Sequence, residues 1–221
     1  YNGTATLELG YTGVGFQRSD GYRESRLGPI NELGQVAGYS NRYSGSTDLG
    51  RNAWLYDSGV TTQLGFTGVG YEQSNGYRFS SPGSLNELGQ VYGLSKRYSG
   101  TTDLGQHAWL YDSALEQIFD LTLSVRQSDG YAYSFAQYID DSGLVLGQYS
   151  LFDQSTNADL GLHAFYFTVE DGVFDLGSLV EDLGPDGWLL LATAISDRGA
   201  GSVIGGSGIT TGMTGTAETE A

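Results

Sequence analysis

Residues 144–149 (LVLGQY) place apolar side chains at alternate positions, the spacing of a half-buried β-strand. Asp140-Asp141-Ser142-Gly143 just before them reads as a turn, and Tyr131–Tyr138 before that as another strand. Beyond lie a third strand, His163–Val169, a turn at Glu170-Asp171-Gly172, and a fourth strand, Val173–Leu176. No long segment has the 3.6-residue period of a helix. Glu181–Leu190 has room for a short helical turn, but Gly184-Pro185-Asp186-Gly187 inside it favours a loop.

The four-strand pattern recurs. Leu9–Gln63 aligns with Leu64–Ile118 without a gap, at roughly 34 identities in 55 positions. A third, more diverged copy spans about 119–177, and a fourth, incomplete one spans 178–221. The turn between the first two strands reads Asn31-Glu-Leu-Gly34, Asn86-Glu-Leu-Gly89, Asp140-Asp-Ser-Gly143 and Ser196-Asp-Arg-Gly199. Asn, Asp or Ser at the first position bonds back to the following backbone, and the glycine accepts a left-handed conformation. Asn31, Gly34, Asn86, Gly89, Asp140 and Gly143 are therefore assigned a structural role. The expectation is an all-β chain, a β-propeller-like array of four-stranded repeats of ~55 residues, with about three full copies and partial copies at both ends. WD40 and kelch units have similar lengths, but their signature dipeptides are missing. Residues 1–204 are read as one domain and 205–221, rich in Gly and Thr, as a C-terminal arm.

Composition supports short strands and many turns: 35 of 221 residues are glycine, against a usual ~7 %. Twenty-six acidic and 10 basic residues give a net charge of -16, which disfavours nucleic acid and anionic membrane surfaces and makes cations such as calcium conceivable ligands. No apolar run approaches a membrane span of about 20 residues. The absence of cysteine removes disulfides, thiolate metal sites and thiol nucleophiles. The sequence begins at Tyr1 with no signal peptide before it, as in a processed chain or part of a longer one.

The pattern Ile30-Asn31…Gly34-Gln35-Val36…Gly38…Ser40, and its copy Leu85-Asn86…Gly89-Gln90-Val91…Gly93…Ser95, is followed in the third copy by His163-Ala164-Phe165. The second copy carries His107-Ala108-Trp109 there and the first Asn52-Ala53-Trp54. Turn, strand and "HAF" element in this order resemble the HAF-type extracellular repeat family over about residues 9–208. The resemblance implies a secreted bacterial protein, an extracellular location and a propeller-like fold. Members often end in a short sorting segment, which this sequence does not show, and the resemblance transfers no catalytic residue.

The repeat frame sets an expectation for the ends. Thr4–Gly10 (TATLELG) matches Val60–Gly65 (VTTQLG), so Thr4, Ala5, Thr6, Leu7, Glu8 and Leu9 read as a fourth strand without its preceding three. The last copy reads as lacking its third and fourth strands. The N-terminal strand then pairs either with the last copy of its own chain, closing a ring, or with that of the next chain, giving a head-to-tail filament.

Candidate chemistry is sparse. His107 and His163 occupy equivalent positions of different copies and read as structural. Asp48, Asp103 and Asp159 recur in a D-L-G spacer and are conceivable Ca²⁺ ligands, without a D-x-D-x-D-G loop. The TGVG segments (12–15, 67–70) lack the lysine and helix of a phosphate loop, and GGSG (205–208) lacks the helix of a hydrolase elbow. Tyr43 and Tyr98, in a polar spacer, read as an exposed pair suited to stacking on a sugar. Asn2-Gly3-Thr4 fits a glycosylation sequon. The functional expectation is a non-enzymatic extracellular structural protein, with no cofactor. It would self-associate, into fibres or a surface layer, by β-strand complementation between incomplete terminal repeats. The alternative is a carbohydrate-binding propeller module.

Overall fold

The structure is a computed structural model. It describes residues 7–179, and beyond them the backbone of three strands at 189–196, 203–210 and 213–215. The chain is all-β. The first unit comprises β1 (Ser25–Ile30), β2 (Val36–Ser44), β3 (Thr47–Asp57) and β4 (Val60–Leu64). The second comprises β5 (Arg78–Leu85), β6 (Gln90–Ser99), β7 (Thr102–Asp112) and β8 (Gln117–Asp120). The third comprises β9 (Ala132–Ile139), β10 (Val145–Phe152), β11 (Asp159–Thr168) and β12 (Gly172–Asp175), followed by a 3-10 turn at Leu176–Leu179. Strands β13 (Leu189–Ser196), β14 (Val203–Thr210) and β15 (Met213–Gly215) form a separate antiparallel sheet. The arm boundary drawn at 204/205 therefore falls inside β14, and the last copy does hold a short third strand, β15.

Within each unit neighbouring strands pair antiparallel in chain order. Between units the connection is parallel and short. The far edge of β3 is divided: Ala53–Asp57 pair with β4, while Gly50 and Arg51 pair with Arg78 and Phe79 of β5. The same division joins Gly105 and Gln106 to Ala132 and Tyr133. The twelve strands thus form one open mixed sheet running from β1 to β12. These junctions explain the repeated D-L-G spacer. Asp48 Oδ1 accepts the Gly50 N–H at 2.6 Å, and Asp103 Oδ1 accepts that of Gly105 at 2.6 Å. The two glycines take φ of +82° and +89°, and a Cβ on either would overlap the carbonyl of Arg78 or Ala132.

Each unit is two-faced, because strand side chains alternate. Ala53 and Leu55 of β3, with Ala37 and Leu64, form the forward face of the first unit. They pack against Leu85, Val91, Trp109 and Tyr111 on the back face of the second. Ala108, Leu110 and Leu121 repeat the forward face and meet Ile139, Val145, Phe165 and Phe167 of the third. Leu146, Ala164 and Leu176 repeat it once more. Full burial of each such leucine contributes roughly 1.5–3 kcal/mol, so the cores lie between units.

The glycine of the G-Q-V-x-G pattern serves the aromatic residue of the third strand. Gly38, Gly93 and Gly147 stand directly opposite Trp54, Trp109 and Phe165. Each ring lies over its glycine, where a Cβ would overlap it.

Candidate functional site

The turn that opens β2 does more than close a hairpin. Gly34, Gly89 and Gly143 take φ of +78°, +76° and +87° and donate to the carbonyls of Asn31, Asn86 and Asp140. Asn31 Oδ1 accepts the Gln35 N–H at 3.0 Å, and Asn86 Oδ1 that of Gln90 at 2.8 Å. The amide nitrogens then reach into the next unit. Asn31 Nδ2 donates to the Asn86 carbonyl at 3.0 Å, and Asn86 Nδ2 to that of Asp140 at 2.8 Å. One residue on, the Glu32 N–H donates to the Glu87 carboxylate at 3.0 Å, and the Glu87 N–H to Asp141 Oδ1 at 3.0 Å. Gln35 and Gln90 extend each rung to Asp57 and Asp112. A serine ladder runs beside it: Ser80 Oγ accepts the Ala53 N–H at 2.9 Å, and Ser134 Oγ that of Ala108 at 2.8 Å. All these cross-unit donors point the same way, from one unit to the next.

The back face of the first unit is where the series breaks. Ile30 is 68 % exposed, whereas its counterparts Leu85 and Ile139 are 8 % and 9 % exposed. Leu27 beside it is also exposed. Among the described residues the Asn31 carbonyl accepts only the Gly34 N–H of its own turn, and the Glu32 carboxylate has no donor. Among the described residues Ser25 Oγ, the counterpart of Ser80, bonds only the Ser40 hydroxyl, at 2.7 Å. Leu7–Leu9 lie along this side without strand pairing, although Thr62–Leu64, their counterparts, pair with β3. Glu8 instead bridges to Arg23 at 3.1 Å. Thr4, Ala5 and Thr6, like Asn2, lie outside the described residues.

Tyr43 and Tyr98 do not form an exposed pair; they are 8 % and 6 % exposed. A register shift between Asn41 and Tyr43, repeated between Lys96 and Tyr98, turns both rings inward. They meet Tyr22 and Tyr77 edge-on at 6.2 Å, and their N–H groups donate to Gly15 and Gly70 of the TGVG loops at 2.7 Å. Burial, with Tyr77 and Asp103 nearby, pushes the Tyr98 hydroxyl pKa well above its ordinary value. Neither ring offers a face to a sugar.

The two histidines occupy different units, each beside a carboxylate on its own fourth strand. His107 is buried, with Nδ1 2.9 Å from Asp120 Oδ2 and 3.0 Å from the Tyr71 hydroxyl. Its Nε2 is buried without a partner among the described residues. His163 Nδ1 lies 3.8 Å from Asp175. Burial alone would raise the Asp120 pKa, but the His107 contact and the Thr122 N–H and hydroxyl hold it below its ordinary value. Burial, reinforced by Asp120, pushes the Tyr71 phenol up to about 12. In the first unit the same two places hold Asn52 and Gln63, bonded amide to amide at 3.2 Å. A position that accepts His–Asp, His–Asp and Asn–Gln pairs is a polar cross-strand tie.

Asp48, Asp103 and Asp159 each accept a backbone N–H two residues on, one in each unit. Among the described residues no three His, Cys, Asp or Glu side chains gather to hold a metal ion, and no helix is long and apolar enough to cross a membrane.

Sequence reasoning found the turns but missed their second task. Glutamate at the second turn position is not required by the turn itself, and its return at Glu32, Glu87 and, as aspartate, Asp141 was the available signal. Comparison with family models, curated proteins and solved structures returns no match.

Proposed function

We propose that this chain is a non-enzymatic, extracellular structural protein, a propeller-like repeat module of the HAF-repeat kind. It self-associates by β-strand complementation between incomplete terminal repeats. One observation carries the reading: among the described residues Leu7–Leu9 lack the strand partner that the equivalent Thr62–Leu64 have in β3. At the other end of the array, the sheet β13–β15 has three described strands where each preceding unit has four. An unpaired strand edge is a template for another strand. Addition of this segment to the β13–β15 sheet of the next chain gives that sheet its fourth strand with the pairing already used three times inside the chain, and a head-to-tail contact of this kind propagates. The role in fibres or a surface layer is supported by the turn and serine ladders that tie each unit to the next. Light scattering and negative-stain microscopy test it. The intact chain is expected to form concentration-dependent oligomers that disappear when residues 1–10 are deleted; uniform monomers before and after the deletion refute it.

A further inference from the structure

We propose that the Arg51 guanidinium, at the seam between the first two units, is a binding site for a small monocarboxylate. This site stands apart from the self-association reading.

Arg51 lies on β3 at the point where that strand meets β5. Its Cζ sits 4.1 Å from the centroid of the Tyr39 ring on β2 and 4.0 Å from that of the Phe79 ring on β5. The two rings flank the cation and hold it in place. Stacking uses only the faces of a guanidinium. Its five N–H donors lie in the plane, and among the described residues none of them has an acceptor. Nε is buried, while the two Nη atoms reach the surface. Every other described Arg or Lys side chain donates to a carboxylate, a carbonyl or an amide oxygen. Arg51 is thus an unpaired cation in a chain of net charge -16.

The fold does not require that charge. The counterparts of Arg51 in the second and third units are Gln106 and Leu162. Gln106 gives its amide to the Ser134 carbonyl at 3.2 Å and so ties its seam without a cation. Glu24 is near enough to sense Arg51, but its oxygens are engaged: Oε1 by Arg26 Nε at 2.7 Å and Oε2 by Asn41 Nδ2 at 2.9 Å. What remains is a forked pair of surface donors with one positive charge. A planar carboxylate matches two parallel Nη donors. A dianion or a polyanion would set two or more charges against that single one, in the repulsive field of the whole chain. The flanking rings fix the fork, so little side-chain freedom is lost on binding.

The Arg51 Nε–H resonance of ¹⁵N-labelled protein reads occupancy directly. Ring currents from Tyr39 and Phe79 set it apart, and Arg51→Gln removes it. Sodium acetate, titrated at constant ionic strength against sodium chloride, should shift it saturably, with half-saturation on the order of 10 mM. The ion-paired Arg126 should follow the chloride reference, and inorganic phosphate should shift Arg51 less than acetate does. At tenfold excess over half-saturation, acetate should raise the melting point by roughly 3–6 °C over chloride. Arg51→Gln installs the residue the second unit already uses, and it should fold and lose that increment. An Arg51 resonance that moves equally with acetate and chloride, or further with phosphate, overturns the proposal. So does an acetate increment that survives Arg51→Gln. The wild-type titration decides the matter by itself if the variant does not fold.

Discussion

Asn86→Ala removes the central rung of the turn ladder. Its side chain is 4 % exposed and makes four hydrogen bonds: Oδ1 accepts from Leu88 and Gln90, and Nδ2 donates to Gln90 Oε1 and the Asp140 carbonyl. The Asp140 carbonyl keeps the Gly143 N–H, and Leu88 N–H lies near solvent. The Gln90 N–H and Oε1 are left buried without partners, at about 1–3 kcal/mol each. The expected loss is about 3 kcal/mol, or a melting point lower by roughly 6–12 °C for a chain of this size. Asn86→Asp dissects that loss. Aspartate closes the same turn in the third unit, where Asp140 Oδ1 accepts from Ser142 and Leu144. What it removes is the donor to the next unit. It also sets a buried carboxylate oxygen against two acceptors, Gln90 Oε1 and the Asp140 carbonyl, so its folded-state pKa is expected to be raised. A raised acid pKa contributes stability at low pH that is lost as pH rises through it. The Asn86→Asp defect should therefore be largest at neutral pH and shrink on acidification. Urea unfolding followed by tryptophan fluorescence, with Trp109 in the second unit, measures both variants. Wild-type stability of Asn86→Asp at pH 7, or a loss below about 0.5 kcal/mol for Asn86→Ala, refutes the ladder as a source of cohesion between units.

Gly93→Ala should destabilise by about 2–4 kcal/mol, because its Cβ meets the Trp109 ring and the Ser81 carbonyl; Gly13→Ala, which meets nothing, should stay within about 0.5 kcal/mol in the same urea titration. Asp120→Asn should narrow the pH dependence of stability. The depressed carboxylate stabilises the fold above its unfolded pKa, about 3.9, and loses that contribution as pH falls through its folded value, so the gap from wild type should close in acid melts. Tyr98→Ala should destabilise the fold by about 3 kcal/mol through lost packing, read as a lower melting point, and leave any glycan binding untouched when normalised to folded protein.

Much of this fold is legible in the order of residues. The turn at 140–143 lies where Asp and Gly place it, and the four strands per unit follow from alternation and turn spacing. What escaped is what depends on neighbours. The parity of an alternating strand does not survive a bulge, so Tyr43 reads as outward and lies inward. The D-L-G spacer looks like a ligand motif until Gly50 is seen to admit the backbone of β5. The division of β3 between two partners has no local signature, because both halves of the strand are good strand sequence. The candidate site was visible as an unmatched frame at residues 4–10, while its companion acceptors at Ser25, Asn31 and Glu32 are defined only by what fills their counterparts.

The two-faced unit bears on how such a chain lengthens. A segment of about 55 residues carries a forward face and the back face that fits it. An in-frame duplication therefore arrives with both of its new contacts already complementary, and no compensating substitution is needed. Each copy can then vary separately while keeping its tie, as the Asn52–Gln63 and His107–Asp120 pairs differ in chemistry at one position. An insertion of half a unit would set two like faces together and strand both cores. Lengthening by whole units is thus the cheap genetic step, and unit number, rather than the content of any one unit, is the trait most open to change.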